Sequence, residues 1–293
     1  MKGVLLKYME KQGAALLSVF SNTALVLFKL IAGSIMGSVS VISEAIHSGI
    51  DLLASLVAYF SIRQARKPAD NDHPFGHGKF ENVSGAFEAI LIFLAAAMII
   101  YEAIKKIVKG GEVEKIEAGL LVMLISAVVN LFISSKLFKV AKKTDSVALE
   151  ADAMHLFTDV FTSFGVFLGL VAIKLTHVYI IDPIIAIVVA LMIIKASVDL
   201  TKKALCDLVD KSLPQSEIEI IENIIRKYSQ VTSFHKLRTR KSGDRREIDV
   251  HIRMENSTTL IDAHNLCDQI ENDIKSALPN SHITIHIEPE DEK

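Results

Sequence analysis

Apolar positions come in long runs as far as about Leu205, and the pattern then changes. A bilayer core takes about 20 apolar residues as helix. Six stretches reach that length: Gly13–Met36, Ser38–Ile62, Val83–Ile107, Ala118–Phe138, Val147–Leu175 and Tyr179–Leu200. Helices apolar all round over such lengths point to a membrane rather than a soluble bundle. After Pro214 the spacing is that of a soluble domain. Ile218, Ile221, Ile224 and Ile225 recur at helical intervals. Ser233–Arg240 reads as a strand and Ser242-Gly243-Asp244 as a turn. Glu247–Met254 alternates, with Ile248, Val250, Ile252 and Met254 on one face and Asp249, His251 and Arg253 on the other. Thr259 with Asp262 resembles a helix N-cap, and Leu260, Leu266, Ile270 and Ile274 follow at helical spacing. His282–Glu288 alternates again. The pattern predicts a membrane all-α bundle of six transmembrane helices over residues 1–205, then an α+β domain of order α-β-β-α-β over residues 206–293.

Charge between the spans sets an orientation. Lys2, Lys7 and Lys11 precede the first span, and Arg63, Arg66, Lys67 and Lys79 follow the second. Lys136, Lys139, Lys142 and Lys143 follow the fourth, and Lys202 and Lys203 open the tail. The intervening turns carry less: none in Gly33–Ser40, a mixture of lysines up to Lys115 with glutamates after the third span, and Lys174 alone before the sixth. The excess of positive charge predicts cytoplasmic termini and a cytoplasmic tail. The formal net charge of -2 leaves no basic footprint for nucleic acid. Two cysteines, Cys206 and Cys267, make no disulfide framework. No Gly-rich phosphate loop ending in Lys-Ser/Thr is present, so no nucleotide is expected.

Ionisable residues inside the spans carry the chemistry. His47 and Asp51 lie four apart in the second span, and His155 and Asp159 repeat that spacing in the fifth. Residues four apart share one helix face. An intramembrane Asp costs about 2.5–3.5 kcal/mol on insertion scales, so two of them need a partner. Facing helices would offer two imidazoles and two carboxylates, a tetrahedral N/O set suited to Zn²⁺. The bland alternative is a pair of hydrogen-bonded helix clamps, which the repeated spacing disfavours. Glu44, Glu150 and Asp152 read as solvated caps near helix ends, and Glu88 and Asn130 as packing or pathway residues.

The two His/Asp pairs, the loop PADNDHPFGHGKFE, the six spans and the tail order together resemble the cation diffusion facilitator family. The resemblance covers nearly the whole chain. It implies a homodimeric secondary exporter of divalent transition metals, commonly Zn²⁺ against protons, in a bacterial inner membrane, and not an enzyme. It implies a metallochaperone-like tail that binds metal and dimerises. His47, Asp51, His155 and Asp159 would form the transport site. Many bacterial members have Asp at the place of His47, so the two-His, two-Asp set resembles the zinc-preferring type. Asp70, His73 and His77 match a loop metal site. His235, His251, His264, His286 and Glu288 match a two-metal site of the tail, with Glu where members often have Asp. Lys79 and Asp210 match an inter-subunit charge pair. Zn²⁺ would then be both cargo and a structural or regulatory ion.

Metal capture needs neutral His and ionised Asp, so binding and proton release are linked. Rival readings are a metal receptor whose membrane part does not transport, an exporter chiefly of Cd²⁺, Fe²⁺ or Mn²⁺, and an intramembrane hydrolase. Four protein ligands would close the site and leave no open position for a hydrolytic water.

Overall fold

A computed structural model describes residues 2–36, 39–109, 117–176 and 180–290. Six long helices come first: α1 (Lys2–Met36), α2 (Val39–Ala65), α3 (Phe80–Lys109), α4 (Glu117–Thr144), α5 (Val147–Thr176) and α6 (Ile181–Leu208). The tail follows as α7 (Gln215–Arg226), β1 (Val231–Ser242), β2 (Arg245–Met254), α8 (Leu260–Ala277) and β3 (Ser281–Pro289). Among the described residues, five helices are long and apolar enough to cross a membrane, lying in α1, α2, α3, α4 and α6. α5 is not among them; its first half carries Glu150, Asp152 and Asp159. Residue 115, the turn at 37–38, the segment 177–179 and the side chain of Glu44 lie outside the described residues.

The helical unit is inverted relative to a soluble core. Its outer surface is apolar, with Phe20, Ile35, Met98, Tyr101 and Phe132 exposed. Its interior is built from small residues, among them Ala14, Ala15, Ala54, Ala58, Ala89, Ala96, Ala148 and Ala151, with Ser18, Ser55, Ser134 and Ser197. Lipid tails supply no hydrophobic drive between helices, so close packing through small residues takes its place. Leu137, Leu149 and Leu156 fill one interior cluster and Ile92, Ala190 and Ile193 another. The Ser61 hydroxyl donates to the Phe80 carbonyl and ties the end of α2 to the start of α3.

The tail sheet has the order β1-β2-β3. β1 and β2 are an antiparallel hairpin, and β3 returns parallel to β2 after the α8 crossover. Thr259 caps α8 by accepting from the Asp262 N–H, as its position predicts. Ile221 and Ile225 of α7 and Ile270 and Ile274 of α8 bury against Ile248, Val250 and Ile252 of β2. Arg246 clamps α7 to the sheet with two hydrogen bonds to Glu217, at 2.8 and 2.6 Å.

The chain divides into two compact units, and the division does not follow sequence order. One unit is Met1–Pro68 with Phe80–Leu205; the other is Cys206–Lys293 together with the loop Ala69–Lys79. The loop seats on the β1–β2 turn, backbone against backbone. A Cβ on Gly78 would lie 2.3 Å from the Ser242 carbonyl oxygen, and one on Gly243 would lie 2.8 Å from the Gly78 oxygen. Gly243 also has φ +64, a conformation glycine adopts without strain.

Candidate metal centres

Within the helical unit, α2 and α5 bring Asp51 and His155 together. His155 Nε2–H donates to Asp51 Oδ1 at 2.9 Å, and both side chains are buried. Asp159 lies one turn further along α5. One ligand atom each from Asp51, His155 and Asp159 falls within a 4.8 Å group. α4 contributes Asn130, whose Nδ2 donates to Asp159 Oδ2 at 3.4 Å. α1 contributes Asn22, whose Nδ2 donates to the Asp51 carbonyl at 3.4 Å. The fourth expected ligand, His47, sits one turn before Asp51 on α2, is exposed, and is not in the three-residue group. Two carboxylates and one imidazole form a hard-to-borderline donor set that suits a divalent transition metal.

Two sequence expectations for this unit change. Asp152 is buried, not a solvated cap: α5 is packed from its first turn, and Val147, Ala148 and Leu149 are buried there too. Glu150 is partly exposed and pairs with Lys203. Asn130, read as packing or pathway, donates to Asp159; a lone Asn in an apolar span is the signal that singled it out.

The loop cluster forms around Asp70. Its Oδ1 accepts the backbone N–H of His73 at 2.7 Å and of Asp72 at 3.1 Å, an Asx turn. His73 Nδ1 is 3.5 Å from Oδ1, and His77 Nε2 is 3.4 Å from Oδ2. The two rings lie 4.4 Å apart. The backbone donors, with His73 the strongest and the two imidazoles adding to it, hold the Asp70 carboxyl below its ordinary value. His77 is buried while Asp70 and His73 are open, so a metal here would have solvent access from one side.

In the tail, strand register assembles the site. His235 of β1 stands opposite His251 of β2, and His251 opposite His286 of β3. The rings are 5.4 and 4.6 Å apart along that row. Glu288 bridges from β3: Oε1 accepts from His251 Nδ1 at 2.7 Å, and Oε2 lies 3.1 Å from His235 Nε2. The His251 hydrogen bond, with His235 adding to it, keeps the Glu288 carboxyl below its usual value. His286 Nε2 is 4.0 Å from Glu288 Oε1 and more exposed. His264 is exposed on α8, 3.5 Å from Asp268, and does not join the group His235, His251 and Glu288. Lys79 and Asp210 pair at 2.8 Å within this single chain. Arg240 adds a second contact to Asp210 at 3.2 Å, and its guanidinium lies 4.8 Å over the Phe75 ring.

The family model for the cation efflux transmembrane domain matches residues 15–209, and that for the cation efflux protein cytoplasmic domain matches residues 213–290. The chain belongs to the cation efflux family. This cation efflux protein is 34% identical over 276 residues to an uncharacterised transporter of Synechocystis sp., a span of 94% of this chain and 89% of the relative. It is 30% identical over 276 residues to the cation-efflux pump FieF of Klebsiella pneumoniae, spanning 94% and 92% of the two chains. A solved chain of CzrB in a Zn form is 35% identical, covers 29% of this protein and 97% of that chain, and has a TM-score of 0.26. The cation efflux family is one of transporters and not of enzymes. Its member here has a helical membrane domain and a small mixed-sheet tail, with donor sets in both that fit metal ions.

Proposed function

We propose that this cation efflux protein exports divalent metal, Zn²⁺ first, from the cytoplasm in exchange for protons. The observation that carries the reading is the Asp51–His155–Asp159 group, two buried side chains and one half-buried, on helices of a membrane unit. Two carboxylates and an imidazole must shed protons to bind a metal and regain them to release it. Hence a proton gradient can drive release on the far side. The six-span topology includes α5, whose Asp152 is buried and whose Asp159 joins the ligand group; His47 completes the site by a rotation of its side chain or of α2 during the cycle. Both termini and the tail lie in the cytoplasm of a bacterial inner membrane, and two copies pair through the tails. Residues 1–205 act as the transport domain and 206–293 as the metal-binding, dimerising domain. Asp70, His73 and His77 hold a loop metal. His235, His251, His286 and Glu288, joined by His264 when the tails pair, hold the tail metals, and Lys79 with Asp210 steadies the loop at that interface.

The test is metal uptake into proteoliposomes with an imposed pH gradient, comparing Zn²⁺ with Cd²⁺, Fe²⁺ and Mn²⁺, and Asp51→Ala as control. Gradient-driven Zn²⁺ flux that is absent from the variant supports the exporter. The loop and tail clusters favour one other reading, a membrane-bound metal receptor. Saturable binding without flux would select it.

A further inference from the structure

A second group of polar side chains lies in the membrane unit, apart from the three ligands above. Glu88 and Ser84 are one turn apart on α3, Asp152 is on α5 and Ser18 is on α1. Their exposures are 0%, 2%, 1% and 0%. Among the described residues, both oxygens of Glu88, both of Asp152 and the hydroxyl oxygens of Ser18 and Ser84 have no hydrogen bond of ordinary geometry. Yet the groups face one another. Glu88 interacts with Asp152 and Ser84, and Asp152 with Ser18. Buried polar atoms in native proteins are nearly always well partnered, so six buried oxygens with only loose contacts to one another call for a shared partner. Lys11 and Lys29, buried cations on α1, are engaged elsewhere, with Glu81 and Ser48.

We propose that Glu88, Asp152, Ser84 and Ser18 form an all-oxygen site for a divalent cation beside the Asp51–His155–Asp159 group. A dication neutralises two carboxylates, and the hydroxyls complete an oxygen shell that retained waters extend. Carboxylate, hydroxyl and water suit hard ions such as Mn²⁺ and bind borderline Zn²⁺ more loosely than an imidazole site does. Position adds a role, which rests on the exporter reading. From the start of α5 at Val147, Asp152 lies about 7.5 Å and His155 about 12 Å along the axis at 1.5 Å per residue. Gly85 of α3 is level with Val147, since a Cβ there would meet the Val147 side chain at 2.7 Å, and Glu88 lies about 4.5 Å further in. Asp152 also interacts with both Asp51 and His155. The oxygen site is therefore a staging post, met by a cation on its way from those helix ends to the imidazole.

The site is tested with full-length protein in lipid nanodiscs, Mn²⁺ as the probe and pulsed electron paramagnetic resonance as readout. Asp51→Ala serves as parent, which weakens the neighbouring ligand group. The loop and tail clusters contain histidine, so their Mn²⁺ shows ¹⁴N coupling and doubles as a check of folding. We expect one further Mn²⁺ per chain without ¹⁴N coupling, lost when Glu88→Gln is added. A nitrogen-free signal that survives Glu88→Gln, or none in the parent, overturns the site. For the role, Glu88→Gln and Asp152→Asn in the otherwise native chain should each lower Zn²⁺ flux at subsaturating metal about tenfold, with a smaller loss at saturation. The double variant should fall no further. Unchanged subsaturating flux overturns the staging role. Absence of flux in the unaltered protein sinks the exporter reading alone, because the resonance experiment needs no transport.

Discussion

Lys11 Nζ lies 2.9 Å from Glu81 Oε1, and neither side chain reaches solvent. The pair joins the start of α1 to the first turn of α3, and Ser146, just before α5, donates to the other Glu81 oxygen. One carboxylate thus closes three helices at one end of the bundle. Removing one partner of such a pair strands a buried charge, a loss of about 3–5 kcal/mol. Glu81→Gln should accordingly lower the unfolding temperature of the purified protein in detergent sharply. Lys11→Met combined with Glu81→Gln should recover part of it, because no uncompensated charge remains. Additive losses in the double variant would show that the two residues act separately.

In the tail, Glu288 touches two imidazoles from two strands. Replacing it by Gln removes the only carboxylate of the group His235, His251 and Glu288. We expect tail affinity for Zn²⁺ to fall by about 10- to 100-fold, on the scale seen when metal-site supports are lost. Titration calorimetry on the full chain resolves this against an unchanged loop component; an unaltered isotherm would remove Glu288 from the ligand set.

How much of this was legible beforehand depends on the range of the interaction. Strand alternation at Glu247–Met254 and His282–Glu288 is local, and it announced the inner faces that the structure buries, Ile248, Val250, Ile252 and Ile283. The four-residue spacing of His155 and Asp159 is equally local, and both side chains stand together in the membrane unit. Burial of Asp152 was not legible, because it depends on how α5 packs against α1 and α3, which no window of sequence carries. The resemblance pointed to a loop–tail contact between subunits through Lys79 and Asp210, but the seat of Gly78 on Ser242 within one chain was hidden, because the two are far apart in sequence. Register was hidden as well: the resemblance named His235, His251 and His286 together, and strand pairing is what sets them in one row.

Gly78→Ala tests the loop seat. An added methyl meets backbone at 2.3 Å, so loop or hairpin must move. A loss of about 1–3 kcal/mol is expected in the tail, in the range of backbone strain. Hydrogen exchange at residues 69–79 should rise, and metal binding by Asp70, His73 and His77 should weaken. Protection equal to that of the unaltered protein would mean the seat tolerates a side chain.

Asp210 provides a pH signature. The Lys79 hydrogen bond chiefly, with Arg240 adding and partial burial opposing, holds its carboxyl below the ordinary 3.8. A depressed carboxylate stabilises the fold above its unfolded value and loses that contribution as pH falls through its folded one. Asp210→Asn suits the test, since φ here is 60 and Asn tolerates that conformation. Between about pH 5 and pH 3 the unfolding temperature should drop more in the native chain than in the variant. Because the pair is half-exposed the difference will be small, and parallel curves would indicate no net contribution.

The chain passes between its two units at 68–69, at 79–80 and at 205–206. The second unit is therefore not a contiguous stretch of sequence. A fragment that starts at Cys206 would leave behind Asp70, His73 and His77 together with Gly78, the loop's half of the glycine-to-glycine contact. What the sequence order presents as a detachable tail is, in space, a sheet with a borrowed segment.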